Sequence, residues 1–156
     1  MLDETDPRVI AAAEICASHA YDPAELIEIL HELQDQQGYI AEETLPVIAK
    51  LLNISRAEVH GVVSFYHDFR RAPAGRVVLK VCRAESCQSM GANQLIERIC
   101  DRYNTKLGET SRAGLTIEPV FCLGLCAQSP AAMLNDRFHG HLNEEKLDAL
   151  LVEALS

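Results

Sequence analysis

No stretch of the chain approaches the run of about 18 apolar residues that a membrane-spanning helix requires, so membrane insertion is not expected. Basic residues are few, with 14 Lys and Arg against 23 Asp and Glu, and the net charge is -9. At a pI of about 5.1, with no local basic cluster, the chain repels phosphate backbones, and nucleic acid is not an expected partner. The segment Met1 to Asp6 is acidic where a secretory signal is basic, which predicts a cytoplasmic protein. There is no Cys-x-x-Cys pair, which argues against a thioredoxin-type redox dithiol. There is no Gly-x-Gly-x-x-Gly, so neither NAD nor flavin is expected to bind here. Internal repeats and low-complexity segments are likewise missing.

What is present describes a globular protein. Of 156 residues, 48% are hydrophobic and 24% charged, and mean hydropathy is -0.01. That balance supports a buried core. The length allows one ordinary domain, or a small domain preceded by a helical extension.

The first seventy residues carry helix signals. Asp6-Pro7 and Asp22-Pro23 each place a capping carboxylate before a proline at the first helical position. Glu25 completes a capping-box pattern with Asp22; Leu26, Ile27, Leu30 and Leu33 then share one face, and Gly38 closes the helix. A third helix is expected over 42–51, with Pro46 in its first turn. Ser55 and Glu58 form a second capping box for a helix running to about Phe69, in which Gly61 costs about 1 kcal/mol relative to alanine.

Helical periodicity stops at Pro73 and Gly75, and strand-like patterning follows. The expected division is a helical region over 1–73 and a second domain over 74–156. In the latter, 77–81 reads as a strand, 90–103 as a helix and 115–121 as a second strand. The segments 131–134 and 137–140 flank a hairpin turn at Asn135-Asp136, and Asn143 caps a last helix. The predicted fold class is α+β: an N-terminal helical bundle, then a small mixed sheet covered by helices.

Six cysteines in a reducing compartment point to metal ligation rather than to disulfides. Cys82 and Cys87 follow the first strand, and Cys122 and Cys126 follow the second. If those strands are parallel neighbours, both pairs emerge at one edge of the sheet and surround a single site. Four thiolates suit a 2Fe-2S cluster, two to each iron. A structural zinc site, as in a zinc-stabilised interaction module, is the alternative; a free thiol-disulfide oxidoreductase is a third. Backbone N–H groups must offset the charge of the four thiolates, and the start of the helix ending near Tyr103 is the expected source, with Gly91 and Gly124 allowing close approach.

The segment Cys82 to Gly91 (Cys-Arg-Ala-Glu-Ser-Cys-Gln-Ser-Met-Gly), together with Cys122-Leu-Gly-Leu-Cys126 and Ser129-Pro130, resembles the thioredoxin-like 2Fe-2S ferredoxin subunits. These occur in respiratory complex I, in NAD-reducing hydrogenases and in soluble NAD-dependent formate dehydrogenases. Gly38-Tyr-Ile40 and Val59 to His67 resemble the family's helical N-terminal region. The resemblance implies a thioredoxin-like fold over 74–156 and one 2Fe-2S cluster on Cys82, Cys87, Cys122 and Cys126. Within the family, His60 to Arg70 and Val81 to Met90 are most similar to the gamma subunit of formate dehydrogenase. That similarity implies a non-catalytic electron-transfer subunit beside a flavin- and NAD-binding subunit, within an assembly whose molybdenum-containing subunit oxidises formate. FMN, NAD and the molybdenum cofactor are then expected only in those partners.

Other chemically capable residues have ordinary roles by default. Cys16 and Cys100 read as packed thiols, the sequence pattern pairs neither His60 nor His67 with a carboxylate or nucleophile and so gives them no catalytic role, and Arg83 is either a solvated strand-end residue or a cation tuning the cluster. Phe65, Tyr66 and Phe69 are expected to fill a seam between domains. Alternation would place His139 and His141 on one exposed face, and Pro130 is expected to be trans.

Overall fold

The computed structural model describes residues 5–156, and Met1 to Glu4, which carry part of the acidic leader, lie outside it. The chain divides into two compact units, one running up to Pro73 and the other from Ala74 to Ser156.

In the first unit Asp6 caps α1 (Pro7–Ser18) by accepting from the Arg8 N–H at 2.9 Å. Asp22 caps a 3-10 turn, Pro23–Glu25, through the Ala24 N–H, and α2 (Leu26–Gln37) continues from it. The expected capping box is absent there. The tight turn brings the Asp22 carboxylate to Ala24, and Glu25 faces His19 at 3.5 Å instead. Gly38 ends α2 with φ +81°, a left-handed conformation that glycine adopts without a Cβ penalty. A second 3-10 turn, Glu42–Thr44, leads into α3 (Leu45–Leu51), with Pro46 in the first turn.

The Ser55–Glu58 capping box forms in full at the start of α4 (Arg56–Phe65). This helix stops four residues short of the expected end. Tyr66 is extended, which turns Phe69 inward against His31, with ring centroids 4.8 Å apart. Phe69 therefore belongs to the unit's own core, with Ile29, Leu30, Leu33, Leu45, Ile48 and Val59, whereas Phe65 and Tyr66 are exposed. The seam role expected for these three rings is not what places Phe69.

The second unit is built on four strands in the order β2-β1-β3-β4. β1 (Val77–Cys82) and β2 (Leu115–Val120) are parallel, in register from Val77 opposite Leu115 to Cys82 opposite Val120. β3 (Ala132–Leu134) runs antiparallel to β1, and β4 (Arg137–His139) closes the hairpin through Asn135 and Asp136. Leu79, Leu115 and Ile117 are fully buried in a core to which two further helices contribute. These are α6 (Ala92–Arg102), with Ile96 and Ile99, and α7 (Glu144–Leu155), with Leu147 and Leu151. The expected helix over 90–103 is α6, which begins two residues later, after Gly91 at φ +91°; a short α5 (Glu85–Ser89) that was not expected precedes it. No described helix is long and apolar enough to cross a membrane.

Candidate metal centre

The parallel register decides where the cysteines go. Because Cys82 ends β1 opposite the last residue of β2, the loops that follow both strands leave the same rim of the sheet. Cys87 is carried by α5, and Cys122 and Cys126 lie in the loop that ends in a 3-10 turn, Cys126–Gln128. Cys82 and Cys87 are buried, whereas Cys122 and Cys126 are exposed, and none forms a disulfide.

The two loops interlock. The backbone of Leu123 in the second loop and of Ala84 in the first both lie near enough to the Cys82 sulfur to favour its thiolate. Ser86 donates its hydroxyl to the Cys126 carbonyl at 3.2 Å, and the Ser86 and Ser129 hydroxyls are 2.7 Å apart. Ser129 also hydrogen-bonds the Cys126 carbonyl at 2.8 Å and lies 3.6 Å from the Cys87 sulfur. The Gly124 N–H donates to the Cys122 sulfur at 3.3 Å, with Gly124 at φ +74°. A Cβ there would meet nothing within 4 Å, so the backbone conformation, not space, favours glycine.

The thiols act on one another in two pairs. Cys82 interacts with Cys87 and Cys126 with Cys122, and Cys87 and Cys126 are close enough to couple electrostatically across the pairs. Burial pushes the Cys82 thiol up, against the two backbone donors that favour its thiolate. Burial also acts to raise Cys87, but its hydrogen bonding with Ser129, Cys82 and the Ala131 backbone outweighs it and holds this thiol below the ordinary range. The charge of Cys122 raises Cys126. Among the described residues no three His, Cys, Asp or Glu side chains gather tightly enough to hold one metal ion.

This donor set fits a 2Fe-2S cluster: four sulfurs from two loops at one rim, with backbone N–H groups directed at Cys82, Cys87 and Cys122. The donors are loop amides of Ala84, Leu123, Gly124 and Ala131, rather than the start of α6, because the end of α5 and Gly91 come between Cys87 and that helix. Sequence reasoning also missed Ser86 and Ser129, although a hydroxyl residue beside Cys87 and another three positions after Cys126 were visible within the motif.

The remaining candidates stay out of the site. Cys16 is fully buried in the first unit's core, where burial pushes its thiol up to about 11, and Cys100 packs against the second unit's core. Arg83 sits 3.4 Å from the Asn93 side-chain oxygen, and its carbonyl accepts from Gln88. His141 adopts φ +48° just past the end of β4, which breaks the alternation that would have paired it with His139. The Ser129–Pro130 peptide is cis, contrary to the trans expectation.

A parallel strand pair carrying two thiol loops at one rim, with an antiparallel hairpin and packed helices, defines a small thioredoxin-like domain. The chain belongs to the thioredoxin-like [2Fe-2S] ferredoxin family, whose profile matches residues 12–155. Among curated relatives, the E-type chain of the NADH-quinone oxidoreductase of Pseudomonas aeruginosa is 35% identical over 135 residues, covering 85% of this chain and 81% of that protein. Its Aquifex aeolicus counterpart is 36% identical over 123 residues, 78% of this chain and 77% of its own. The Escherichia coli counterpart is 34% identical over 135 residues, again 85% and 81%. Among solved structures, NAD+-reducing [NiFe]-hydrogenase in the H2-reduced state aligns with a TM-score of 0.67 and 23% identity, over 83% of this chain. That likeness establishes a shared fold, and the chain spans only 22% of the hydrogenase chain. The protein is thus an electron-transfer protein of the 2Fe-2S ferredoxin type.

Proposed function

We propose that Cys82, Cys87, Cys122 and Cys126 hold the cluster, and that the chain passes single electrons to and from a flavin- and NAD-binding subunit of an NAD-linked dehydrogenase. The observation that carries this is the interlocking of the two cysteine loops, in which Ser86 donates to the Cys126 carbonyl at 3.2 Å and the Cys87 sulfur lies 3.6 Å from the Ser129 hydroxyl. Two thiol pairs match two irons, two sulfurs to each, better than they match one zinc ion. A bound 2Fe-2S cluster supplies a site that accepts and releases one electron without making or breaking a substrate bond. The chain's own residues bind it through four thiolates, direct backbone N–H groups at their negative charge, and keep Cys82 and Cys87 away from water. The helical region over 1–73 and the ferredoxin domain over 74–156 are read as separate domains, and the setting is cytoplasmic.

The parent assembly proposed is a molybdenum-dependent formate dehydrogenase that reduces NAD, and the motifs from His60 to Arg70 and from Val81 to Met90 support it. FMN, NAD and the molybdenum cofactor belong to its other subunits. A second reading, membership of an NADH-quinone oxidoreductase, is favoured by relatives at 34–36% identity that carry that name. Co-purification from the native cell separates the two. A molybdenum-containing partner active on formate supports the first, whereas a respiratory quinone-reducing complex or a nickel-containing hydrogenase overturns it.

A further inference from the structure

We propose that the Ser129 hydroxyl, relayed by Ser86, donates a hydrogen bond to the metal-bound Cys87 sulfur and so raises the reduction potential of the cluster. This rests on Cys87 being a ligand, as proposed above.

Ser129 is almost buried, at 8% exposure, and its oxygen meets three partners: Ser86 Oγ at 2.7 Å, the Cys126 carbonyl at 2.8 Å and Cys87 Sγ at 3.6 Å. Ser86 meets two, Ser129 and the Cys126 carbonyl, the latter at 3.2 Å. With Cys87 as a thiol, the proton between Cys87 and Ser129 belongs to sulfur, and the Ser129 proton is given to the Cys126 carbonyl. A metal-bound thiolate has no proton and can only accept. Two hydroxyl protons, on Ser86 and Ser129, then face two acceptors, the Cys126 carbonyl and the Cys87 sulfur. Ser86 then shares its proton between the Ser129 oxygen at 2.7 Å and the Cys126 carbonyl at 3.2 Å, so the Ser129 proton is free to turn to sulfur with no buried acceptor left unpaired. Both hydroxyls bridge the first cysteine loop to the second, so the bond forms only when the two loops are joined.

Reduction adds one negative charge to the cluster and its sulfurs. A hydrogen-bond donor aimed at one of those sulfurs stabilises the more negative state, and its removal moves the potential down. Ser129 is therefore a positioning and tuning residue for electron transfer, with no part in a bond-making step.

The test uses the full chain loaded with iron and sulfide, its metal content measured first and its potential read by a redox titration that follows the reduced paramagnetic signal. Ser129→Ala is expected to keep the visible spectrum and to shift the potential to more negative values. Ser129→Thr, which keeps the hydroxyl, is expected to restore a potential close to wild type. Ser86→Ala is expected to give a smaller shift in the same direction, because the Ser129 proton is drawn back to the Cys126 carbonyl. An unchanged potential in loaded Ser129→Ala overturns the proposal, as does a Thr variant as low as Ala. If Ser129→Ala takes up no cluster, Ser86→Ala decides the matter: a downward shift supports the relay, and no shift overturns it. A wild-type chain that binds no iron overturns the ligand assignment together with this inference, whereas a loaded chain with an unmoved potential overturns this inference alone.

Discussion

Cys82, the last residue of β1, lies directly opposite Val120, the last residue of β2, in the parallel register of the central strand pair. Cys122 follows two residues later, so one pairing register brings both cysteine loops to the same rim. A slip of β2 by one residue against β1 would also turn Leu115 and Ile117 out of the core, so burial of the sheet face and assembly of the site are fixed together.

Gln34 is predicted to be the main polar clamp of the N-terminal unit. Its side chain donates to the Asp68 carbonyl at 2.8 Å and accepts from the Arg70 N–H at 2.6 Å, which holds the segment after α4 against α2. Gln34→Ala removes both contacts from a nearly buried site and should cost about 2–3 kcal/mol. Gln34→Glu keeps the acceptor for Arg70 but sets a carboxylate oxygen against the Asp68 carbonyl, two acceptors with no proton between them, and should cost at least as much at neutral pH. Urea unfolding of the full chain checks this; a Gln34→Ala variant as stable as wild type would show that the segment is held by other contacts.

Two glycines should respond to alanine with opposite signs. A Cβ at Gly75 would stand 2.2 Å from the Gly114 carbonyl oxygen, and the Gly75 N–H also donates to Thr116 at 2.7 Å. Gly75→Ala should therefore destabilise the C-terminal unit by about 1–3 kcal/mol, or roughly 5–15 °C in Tm. Gly61, inside α4, has nothing within 4 Å of such a Cβ, and Gly61→Ala should stabilise the N-terminal unit by about 0.5–1 kcal/mol. Thermal unfolding followed by circular dichroism distinguishes the two; an unchanged or raised Tm in Gly75→Ala would contradict the packing described there, and a lowered Tm in Gly61→Ala the open space at that helix position.

His19 gives the N-terminal unit a pH-dependent contribution. Glu32, at 3.0 Å from one ring nitrogen, raises its pKa; burial opposes the shift, and Glu25, at 3.5 Å from the other nitrogen, adds to it. A folded-state pKa above the unfolded value means that the contribution is fully present below the unfolded pKa of about 6.5 and is lost as pH rises through the raised folded value. Wild-type stability should thus decline relative to His19→Gln as pH rises from about 6.5 through the raised folded value. Parallel stability curves for the two proteins would remove His19 from the account.

Local signals were legible in the sequence wherever one side chain settles the matter within a few residues. Asp6, Ser55 and Asn143 cap the helices they were expected to cap, and Asn135-Asp136 forms the hairpin turn. The parallel pairing of β1 and β2 was legible only as a condition, suggested by two β-branched runs flanking a helix-period segment, and the structure meets it. Less legible were elements decided by distant partners. α4 ends at Phe65 because Phe69 turns onto His31, a residue of α2. α5 is only five residues long, too short for periodicity to reveal. The four cysteines stood out by type and spacing, but the amide of Leu123 at Cys82 and the Ser129 hydroxyl at Cys87 come from the opposite loop, which no local pattern encodes.

The most direct test is the iron and sulfide content of the reconstituted chain and of its single Cys→Ser variants. Wild type, Cys16→Ser and Cys100→Ser are each predicted to bind about two irons and two sulfides per chain, while Cys122→Ser loses most or all of both. One zinc with no sulfide in the wild type, or equal loss in Cys100→Ser and Cys122→Ser, would contradict the assignment of a 2Fe-2S cluster to Cys82, Cys87, Cys122 and Cys126.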